Sequence, residues 1–233
     1  MEKKIHQKVV SKKIQINHVC EVGVSLPEMS NILDFIVKDK IKASLVEPDP
    51  KCIAAIQKYF EGYDNFILYP FAAYNYTGVL ELVQREASTF VSDLPYSPAQ
   101  INDDYHIQKE DTFSVKCIKF DDIDDGSIDL LSIDTEGSEW YVLKYLKSHP
   151  KVISVETHGK SYLNPFLTEI NAWMKCNGYE RWYIDKADTV YYKKGVFVIS
   201  SFEKLQLSIK SAFVKFRRAR KEFGKLLIGK SKD

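Results

Sequence analysis

The feature that most constrains the fold of this 233-residue chain is a regular alternation of short apolar segments with amphipathic helical segments. Apolar runs of the length typical of strands occupy residues 16–24, 43–47, 65–73, 79–83, 114–120, 128–134 and 152–156. Apolar residues recur at helical spacing within residues 27–36, 50–60, 138–147 and 165–176. Strands that alternate with helices form mostly parallel sheets with helices on both faces. The pattern therefore predicts an α/β domain.

The last two strand-like runs break this alternation. Residues 179–184 and 190–199 have no helical segment between them, which predicts an antiparallel hairpin at the end of a Rossmann-like sheet. Residues 85–111 are polar and contain Pro95 and Pro98, so we predict a long loop or lid there. These boundaries divide the chain into an N-terminal extension, a Rossmann-like domain and a C-terminal helix, at residues 1–15, 16–201 and 202–233.

Charge is unevenly distributed along the chain. The whole sequence carries 33 Lys and Arg against 32 Asp and Glu, so we expect no nucleic-acid partner. Residues 202–233 alone contain ten basic and three acidic residues, a local net charge of +7. Apolar side chains recur there at helical spacing, at Leu205, Ile209, Ala212, Phe213, Phe216, Phe223 and Leu227. The segment is therefore predicted to be a basic amphipathic helix.

Two interpretations of this helix stay open. Apolar stripes of helices most often pack on their own domain or on a second subunit, which favours a docked helix or a homodimer. A basic amphipathic helix also binds anionic membranes, which predicts peripheral contact with the inner face of the cytoplasmic membrane. Packing is slightly favoured because it is the commoner outcome for such stripes.

The sequence lacks the signals of a secreted, membrane-spanning or zinc-binding protein. Residues 1–13 are polar and basic without an apolar run, and no stretch approaches the roughly 20 apolar residues that a membrane span requires. The four cysteines are not at metal-ligand spacing, so we expect no metal site and a reducing compartment. A cytoplasmic location is the resulting prediction.

Ligands of such a sheet bind outside the carboxyl ends of its parallel strands, so the residues that end strands are the candidate site residues. The first strand runs into Glu21, Gly23 and Ser25. A glycine there lets the backbone approach a nucleotide-like ligand, and an acid can hold the ammonium group of a methionine-like tail. The alternative is an ordinary turn between a strand and a helix.

The second strand ends at Glu47, which precedes Pro48. An acid at this position hydrogen-bonds ribose hydroxyls in dinucleotide-binding folds, which predicts that Glu47 binds the ribose of an adenosyl ligand. The alternative is an acid that caps the next helix, a role that Asp49 fits better because it directly precedes Pro50. Ala72, at the end of the third strand, lies at the same predicted edge.

The most specific pattern is an apolar strand that ends in Asp134 and Glu136, just before Gly137 and a helix. A carboxylate there lies beside a group in transfer and can orient or deprotonate an acceptor hydroxyl. Glu139 is instead placed to favour the helix N-terminus. The next strand leads to His158, which is predicted with equal weight as a general base or substrate ligand and as a surface histidine.

Several of these stretches together resemble the FkbM family of methyltransferases, which are similar to other class I S-adenosylmethionine-dependent enzymes. The matching residues are Val46-Glu47-Pro48-Asp49-Pro50, Phe71-Ala72-Ala73, Ala87-Ser88-Thr89-Phe90, Phe120-Asp121-Asp122-Ile123 and Ile133-Asp134-Thr135-Glu136-Gly137-Ser138-Glu139. The resemblance implies S-adenosylmethionine as the cofactor and O-methylation, often of sugar or polyketide hydroxyls. Residues 24–27 depart from the family's usual Ala-Asn-x-Gly, and this bulkier loop could narrow the cofactor pocket.

The strand-end argument and the resemblance together predict two sets of site residues. The cofactor is expected to contact Glu21, Gly23, Ser25, Glu47, Pro48, Ala72 and Asp134. Asp134, Glu136 and His158 are the expected catalytic residues. Asp122 is expected either to approach the adenine or to cap a turn.

Two functions are compatible with these features. The first is an S-adenosylmethionine-dependent O-methyltransferase that acts on a hydroxyl of a sugar, glycan or other small molecule. The second is a catalytically silent Rossmann-like module that docks a membrane or a partner through its basic C-terminal helix. Cofactor binding discriminates between them.

Overall fold

The computed structural model of the protein describes residues 2–85, 88–94, 97–103 and 105–229. Its helices are α1 (Lys4–Ser11), α2 (Leu33–Val37), α3 (Pro50–Tyr59), α4 (Pro98–Asp103), α5 (Glu139–Lys144), α6 (Leu167–Cys176) and α7 (Ser201–Gly229). Its strands are β1 (His18–Val22), β2 (Lys42–Val46), β3 (Phe66–Tyr69), β4 (Ala72–Ala73), β5 (Gly78–Arg85), β6 (Ser88–Val91), β7 (Thr112–Ile118), β8 (Leu130–Ile133), β9 (Val152–Glu156), β10 (Tyr179–Asp185) and β11 (Asp188–Lys193). Ala87, from the family-like stretches, and residues 230–233, from the predicted C-terminal helix, lie outside the described residues.

Seven of the described strands form the central sheet, in the order β10-β11-β9-β8-β1-β2-β3. The pairs from β9 through to β3 are parallel, whereas β11 runs antiparallel to both β9 and β10. This topology confirms the predicted mostly parallel sheet with an antiparallel C-terminal hairpin.

Each face of the central sheet packs into its own hydrophobic core, because successive side chains of a strand point to opposite faces. Val19 of β1 packs in the core on the face of α2 and α3, and its neighbour Cys20 packs in the core on the face of α5 and α6. Leu130 and Leu131 of β8 divide in the same way. The sheet is therefore covered on both faces, and its carboxyl-end edge is left for a ligand.

A second, four-stranded sheet has the order β4-β7-β5-β6, and the sequence analysis did not separate it from the central sheet. The single strand predicted at residues 65–73 is divided at Pro70, which has no backbone N–H and separates β3 from β4. The run predicted at residues 114–120 corresponds to β7, which pairs antiparallel with β5. The short connection after β3 therefore places the second sheet at the carboxyl-end edge of the central sheet.

The prediction of a long loop at residues 85–111 is wrong for much of that segment. Strand β6 pairs antiparallel with β5. Helix α4 follows a capping box, in which Ser97 N–H donates to Gln100 Oε1 at 2.9 Å and Gln100 N–H donates to Ser97 Oγ at 3.3 Å. The Ser-x-x-Gln spacing is a helix-start signal that the polar, proline-containing composition obscured.

The helix predicted to open at Pro27 begins only at Leu33. Ser30 Oγ and Asn31 N–H both donate to the Glu21 carboxylate, with the Asn31 bond at 2.8 Å. These bonds hold the backbone before α2 against the end of β1 and out of helical geometry. At the other end of the domain, the strand predicted at residues 190–199 is shorter and ends at Lys193.

The N-terminal residues contribute to the fold through α1. Its Ile5 and Val9 are buried in the hydrophobic core on the side of α2. Lys12, just after the helix, lies 2.7 Å from Glu203 Oε2 in the first turn of α7. Trp182 of β10 donates to the other oxygen of Glu203 at 3.1 Å. Glu203 therefore ties the first turn of α7 to both α1 and β10.

The apolar stripe of α7 is largely exposed, although Ile209 and Phe213 line cavities between the helix and the domain. Leu205, Ile209, Phe213 and Phe216 are each more than half exposed, while the side chains of Phe223 and Leu227 lie outside the described part of the chain. These four side chains are therefore not buried in the domain, and packing on a second subunit, the other part of the favoured interpretation, stays a prediction. None of the helices in the described ranges is long and apolar enough to cross a bilayer.

Candidate active site

The carboxyl ends of β1, β2 and β8 converge at Gly23. Gly23 N–H donates to the Val46 carbonyl and Asp134 N–H donates to the Val22 carbonyl, each at 2.9 Å. Gly23 has a φ of +82°, and a Cβ there would lie 1.7 Å from the Asp134 carbonyl oxygen. The approach of two strand ends therefore requires glycine at this position.

A cavity of about 320 Å³, here called the strand-end cavity, opens at this edge of the sheet. Its walls include all seven residues expected to contact the cofactor, which are Glu21, Gly23, Ser25, Glu47, Pro48, Ala72 and Asp134. The second sheet supplies apolar side chains to the same walls, namely Leu80, Leu82, Phe90 and Val91. The cavity therefore has an acidic side and an apolar side. Asp122 is exposed and accepts from Thr77 Oγ1 at 3.3 Å, away from the cavity walls.

Glu47 is held in the cavity wall by the backbone of two loops. Its Oε2 accepts from Ser25 N–H at 2.8 Å and its Oε1 accepts from Asp49 N–H at 2.9 Å. Burial raises the pKa of Glu47 to about 7, against the stabilising effect of these bonds. Each oxygen keeps a second lone pair, so the carboxylate can still accept from ligand hydroxyls. Asp49 has the capping role anticipated for it, since its Oδ1 accepts from Lys51 N–H at 2.8 Å.

Glu21 is 2% exposed and accepts from Ser30 and Asn31. Burial raises its pKa to about 7. The Asn31 side chain donates to Ser132 Oγ at 3.1 Å and to Asp188 Oδ2 at 3.3 Å. Glu21 thus fixes the loop before α2 against the strand ends and adds negative potential to the cavity.

Glu139 organises the turn that follows β8. Its Oε1 accepts from Thr135 N–H at 2.9 Å and from Gly137 N–H at 3.1 Å, and its Oε2 accepts from the Asn164 side chain. Oε1 is thereby bonded to the turn at the start of α5, and Oε2 joins this turn to the segment between β9 and α6. This agrees with the helix-start role considered for Glu139. Asp134 and Glu136, in contrast, line the cavity.

Left-handed backbone geometry is concentrated around the strand-end cavity. Ser25, Glu136 and Lys186 have φ values of +56°, +54° and +47°, and all three line it. Such a conformation costs about 1–2 kcal/mol for a residue with a Cβ. Strain of this kind persists where the surrounding structure enforces it, and it clusters at functional sites.

A second cavity of about 480 Å³, here called the α7 cavity, lies between the strand ends and α7. The sheet side contributes Glu156 and His158, and α7 contributes side chains that include Lys210 and Arg217. Glu136, Lys186 and Ala187 line both cavities, so the two spaces adjoin one another.

His158 is buried in the wall of the α7 cavity, so the alternative of a surface histidine is wrong. Its Nδ1 lies 3.0 Å from Thr157 Oγ1, which lies 2.6 Å from Thr189 Oγ1. Its Nε2 has no hydrogen-bond partner among the described residues. Burial lowers the pKa of His158, and the charge of Lys210 lowers it further. At neutral pH the imidazole is therefore uncharged, and the tautomer protonated at Nδ1 has a free lone pair on Nε2.

Three residues of the site were missed in the sequence, namely Asn31, Lys186 and Asp188. Lys186 and Asp188 belong to the turn between β10 and β11, and Asp188 has a pKa raised by burial to about 7. Because β11 is antiparallel to β9, the turn before it must lie at the carboxyl-end edge of the parallel strands. The predicted hairpin therefore already indicated that its turn lies at this edge, but candidate site residues were taken only from strands that are followed by helices.

The match to a family model decides the identity of the chain. The model of the methyltransferase FkbM domain matches residues 15–181. The chain belongs to the FkbM methyltransferase family. This confirms the resemblance carried by the strand-end stretches, and with it the enzyme class and S-adenosylmethionine as the cofactor.

Solved methyltransferases match the chain at low sequence identity. An S-adenosylmethionine-dependent methyltransferase from Aquifex aeolicus has 10% identity and a TM-score of 0.45, over 82% of this chain and 89% of the other. Precorrin-6y C5,15-methyltransferase from Geobacter metallireducens has 13% identity and a TM-score of 0.41, over 83% and 91% of the two chains. No protein with a curated description matches the chain.

The strand-end cavity of this FkbM methyltransferase suits S-adenosylmethionine in its chemistry. The cofactor carries a positive sulfonium and an ammonium group, and Glu21, Asp134 and Asp188 line the acidic side. Glu47 offers lone pairs for hydroxyl donors. The apolar side, with Leu80 and Phe90, suits a flat aromatic base.

The acids around Asp134 form a dense cluster. Carboxylate oxygens of Asp134, Glu139 and Glu156 lie within 4.8 Å of one another. Burial, and then the charge of neighbouring acids, raises the pKa of Asp134 and of Glu156 well above the ordinary range. Glu156 Oε2 has no hydrogen-bond partner among the described residues. Such a cluster of acids either retains protons or binds a cation. The prediction that the protein has no metal site rested on cysteine spacing, so it did not consider a site made of carboxylates.

Proposed function

We propose that this FkbM methyltransferase transfers the methyl group of S-adenosylmethionine to a hydroxyl oxygen of a sugar, glycan or other small molecule. The observation that carries the proposal is the junction of the two cavities at Glu136, Lys186 and Ala187. One cavity has the chemistry for the cofactor. The other exposes carboxylates and an uncharged histidine to an acceptor that lies beside the methyl donor.

Cofactor binding is assigned to the strand-end cavity. Glu47 accepts from the ribose hydroxyls with the lone pairs that Ser25 and Asp49 leave free. Glu21 and Asp134 attract the positively charged methionine end, while Pro48 and Ala72 contact the adenosine. When bound, S-adenosylmethionine supplies a methyl group that is already activated by a positively charged sulfur.

The acceptor chemistry is assigned to Asp134, Glu136 and His158. His158 Nε2 takes the hydroxyl proton, which its free lone pair and its lowered pKa allow at neutral pH. Asp134 and Glu136 accept hydrogen bonds that align the hydroxyl oxygen. Alignment and exclusion of water supply the remaining acceleration, because the methyl group needs no further activation.

Methyl transfer to a panel of sugars tests this proposal. The protein is incubated with S-adenosylmethionine carrying a labelled methyl group, and products are analysed for oxygen-linked methyl groups by mass spectrometry. We expect labelled methyl ethers, and a rate about 100-fold lower in His158→Gln. Tight cofactor binding with no transfer to any acceptor would instead support the catalytically silent module.

We further propose that α7 binds an anionic membrane surface through its exposed stripe. Leu205, Ile209 and Phe216 lie in water on this helix, and Lys204 and Lys215 flank them. Helices that lie in a bilayer interface have this composition. Each cation near an anionic surface contributes about 1 kcal/mol, and the apolar stripe contributes through burial.

Sedimentation with vesicles that contain anionic lipid tests the membrane proposal. The wild-type protein is expected to sediment with the vesicles, less so at high salt, and Leu205→Gln/Phe216→Gln is expected to stay in solution. Val79→Gln is the matched control, because Val79 is an equally exposed apolar residue on β5. A wild-type dimer that the double substitution dissociates, without vesicle binding, would support the homodimer interpretation instead.

A further inference from the structure

The α7 cavity is chemically divided. The part next to the strand-end cavity has Glu136, Glu156 and His158 in its wall. Lys186 also lies in this part, where the two cavities meet. The rest of the wall carries three cations, Lys160, Lys210 and Arg217. Four cations against two acids give the lining an excess of positively charged residues.

Three separate elements bring these cations together. Lys210 and Arg217 lie on α7, seven residues apart, so two helical turns place them on one face. Lys186 lies in the turn between β10 and β11, in a left-handed conformation. Lys160 lies in the loop after His158, which Asn102 of α4 pins by accepting from Ser161 N–H at 2.7 Å and from Tyr162 N–H at 3.0 Å.

Counter-charge for these cations is limited, since, among the described residues, only the charge of Lys186 acts on an acid beside it in the chain, Asp188. Within the described ranges, none of the four forms an ion pair, whereas Lys12, just after α1, pairs with Glu203 of α7. The charge of Lys210 reaches His158, whose pKa it lowers together with burial. Like charges that converge on a cavity repel one another, and a bound anion removes that repulsion.

We propose that the acceptor is a sugar carrying a phosphate or diphosphate group, with the phosphate bound by Lys160, Lys210 and Arg217. The inference rests on the proposed O-methyltransferase function and adds the substrate class. A phosphate accepts several charge-assisted hydrogen bonds at once, and arginine matches its geometry through two parallel N–H donors. A neutral sugar would leave these cations unpaired.

The division of the cavity also fixes the orientation of the acceptor. Only the inner wall, at Glu136 and Lys186, is shared with the strand-end cavity. Lys160, Lys210 and Arg217 line the α7 cavity alone. The sugar hydroxyls therefore face Glu136 and His158, and the phosphate faces α7.

Calorimetry on the full chain, saturated with S-adenosylhomocysteine, tests this inference. The probes are inorganic pyrophosphate, UDP-glucose and uncharged methyl glucoside. The first two are expected to bind at least about tenfold more tightly than the third. Lys210→Gln and Arg217→Gln are each expected to weaken pyrophosphate binding about tenfold, the usual consequence of losing one hydrogen bond to a charged group. Lys215→Gln, an exposed lysine of the same helix that does not line the cavity, is the matched control.

Unchanged pyrophosphate affinity in Lys210→Gln/Arg217→Gln, or equal losses in the Lys215→Gln control, would overturn the inference. Binding of S-adenosylhomocysteine is measured in every variant. A variant that fails to fold, or a cavity that does not bind the cofactor, is then recognised by the loss of this binding, independently of the pyrophosphate result. Vesicles containing polyprenyl phosphate distinguish the source of the phosphate. Binding of these vesicles that pyrophosphate competes away indicates a lipid-linked sugar phosphate. Binding of UDP-glucose without binding of the vesicles indicates a soluble one.

Discussion

The two adjoining cavities carry opposite charges and are built in different ways. The strand-end cavity is acidic, and its acids sit within a few residues of the ends of β1, β2 and β8. The α7 cavity carries more cations than acids, and its cations come from elements far apart in the chain. Opposite charges suit opposite ligands, a cationic methyl donor and an anionic acceptor. In the proposed assignment, local strand-end geometry defines the cofactor side, and long-range packing defines the acceptor side.

The largest effect is expected where the strand ends converge. Gly23→Ala places a Cβ 1.7 Å from a backbone oxygen at a φ of +82°, so steric overlap adds to conformational strain. We expect a loss of at least about 3 kcal/mol in the free energy of unfolding, measured by urea denaturation. Gly62→Ala is the matched control, because Gly62 has a φ of +83° with nothing within 4 Å of its added Cβ.

The control should lose only about 1 kcal/mol, the conformational cost alone. Equal losses in the two variants would mean that the strand ends do not approach as closely as described.

A large effect on rate is expected where the two cavities meet. Asp134→Asn keeps the side-chain shape but removes the charge, so we expect normal folding, weaker but measurable cofactor binding and, at saturating cofactor, a rate about 100-fold lower. Asp122→Asn, an exposed acid outside both cavities, should leave the rate unchanged. The measurement is the initial rate of methyl transfer under saturating cofactor. Full activity in Asp134→Asn would move the role to Glu136 or His158.

A moderate effect is expected from pH. Burial raises the pKa of Glu47 and of Glu21 to about 7, so both acids are mainly protonated at pH 6 and mainly ionised at pH 8. A carboxylate that binds donors must be ionised, so affinity for S-adenosylmethionine should rise about tenfold from pH 6 to pH 8. Titration calorimetry at both values measures it. A smaller rise in Glu47→Gln is expected, and a fall in wild-type affinity would contradict the assignment.

The same buried acids govern the stability of the unliganded protein. Because the folded state binds more protons than the unfolded state between about pH 4.5 and 7, the free energy of unfolding should fall as pH rises through this window. Urea denaturation across the window measures the slope. Glu47→Gln should have a shallower slope than the wild type, and an unchanged slope would mean that Glu47 titrates normally.

The smallest effect is expected from metal removal. Glu139 Oε1 is hydrogen-bonded to the turn after β8 and Oε2 to the Asn164 side chain, which leaves Asp134 and Glu156 as an incomplete ligand set within the described cluster. Treatment with a chelator should change the rate of methyl transfer by less than about twofold, since a cation site needs more oxygen ligands. A loss of activity that Mg²⁺ restores would instead identify the cluster as a metal site.

The parts of the molecule that sequence could predict are those set by short-range rules. Strand β9 has the predicted boundaries because Val152, Ile153 and Val155 are β-branched apolar residues of a strand that is buried in a parallel sheet. The strand-end acids lie at one edge because parallel strands end together. Two of the wrong predictions also had local causes. Pro70 divides the strand predicted at residues 65–73, and Ser97 with Gln100 caps α4. Both signals were present in the sequence.

The remainder depends on which elements meet in three dimensions. The exposed stripe of α7 has the same helical spacing that a docked stripe would have, so its pattern could not reveal which face packs on β10. Lys160, Lys186 and Lys210 are ordinary surface lysines in the sequence, and only the fold gathers them around one cavity. The acceptor side was therefore less predictable than the cofactor side.

The most direct test of the central claim, that the strand-end cavity is the cofactor site, is calorimetric titration of S-adenosylmethionine at pH 8 into wild type, Glu47→Gln and Glu61→Gln. Glu61 is an exposed acid beyond the end of α3 and serves as the control. We predict binding of one cofactor per chain, weakened at least about tenfold in Glu47→Gln and unchanged in Glu61→Gln, because only Glu47 lines the cavity. Equal affinity in all three proteins, or no binding to the wild type, would contradict the account.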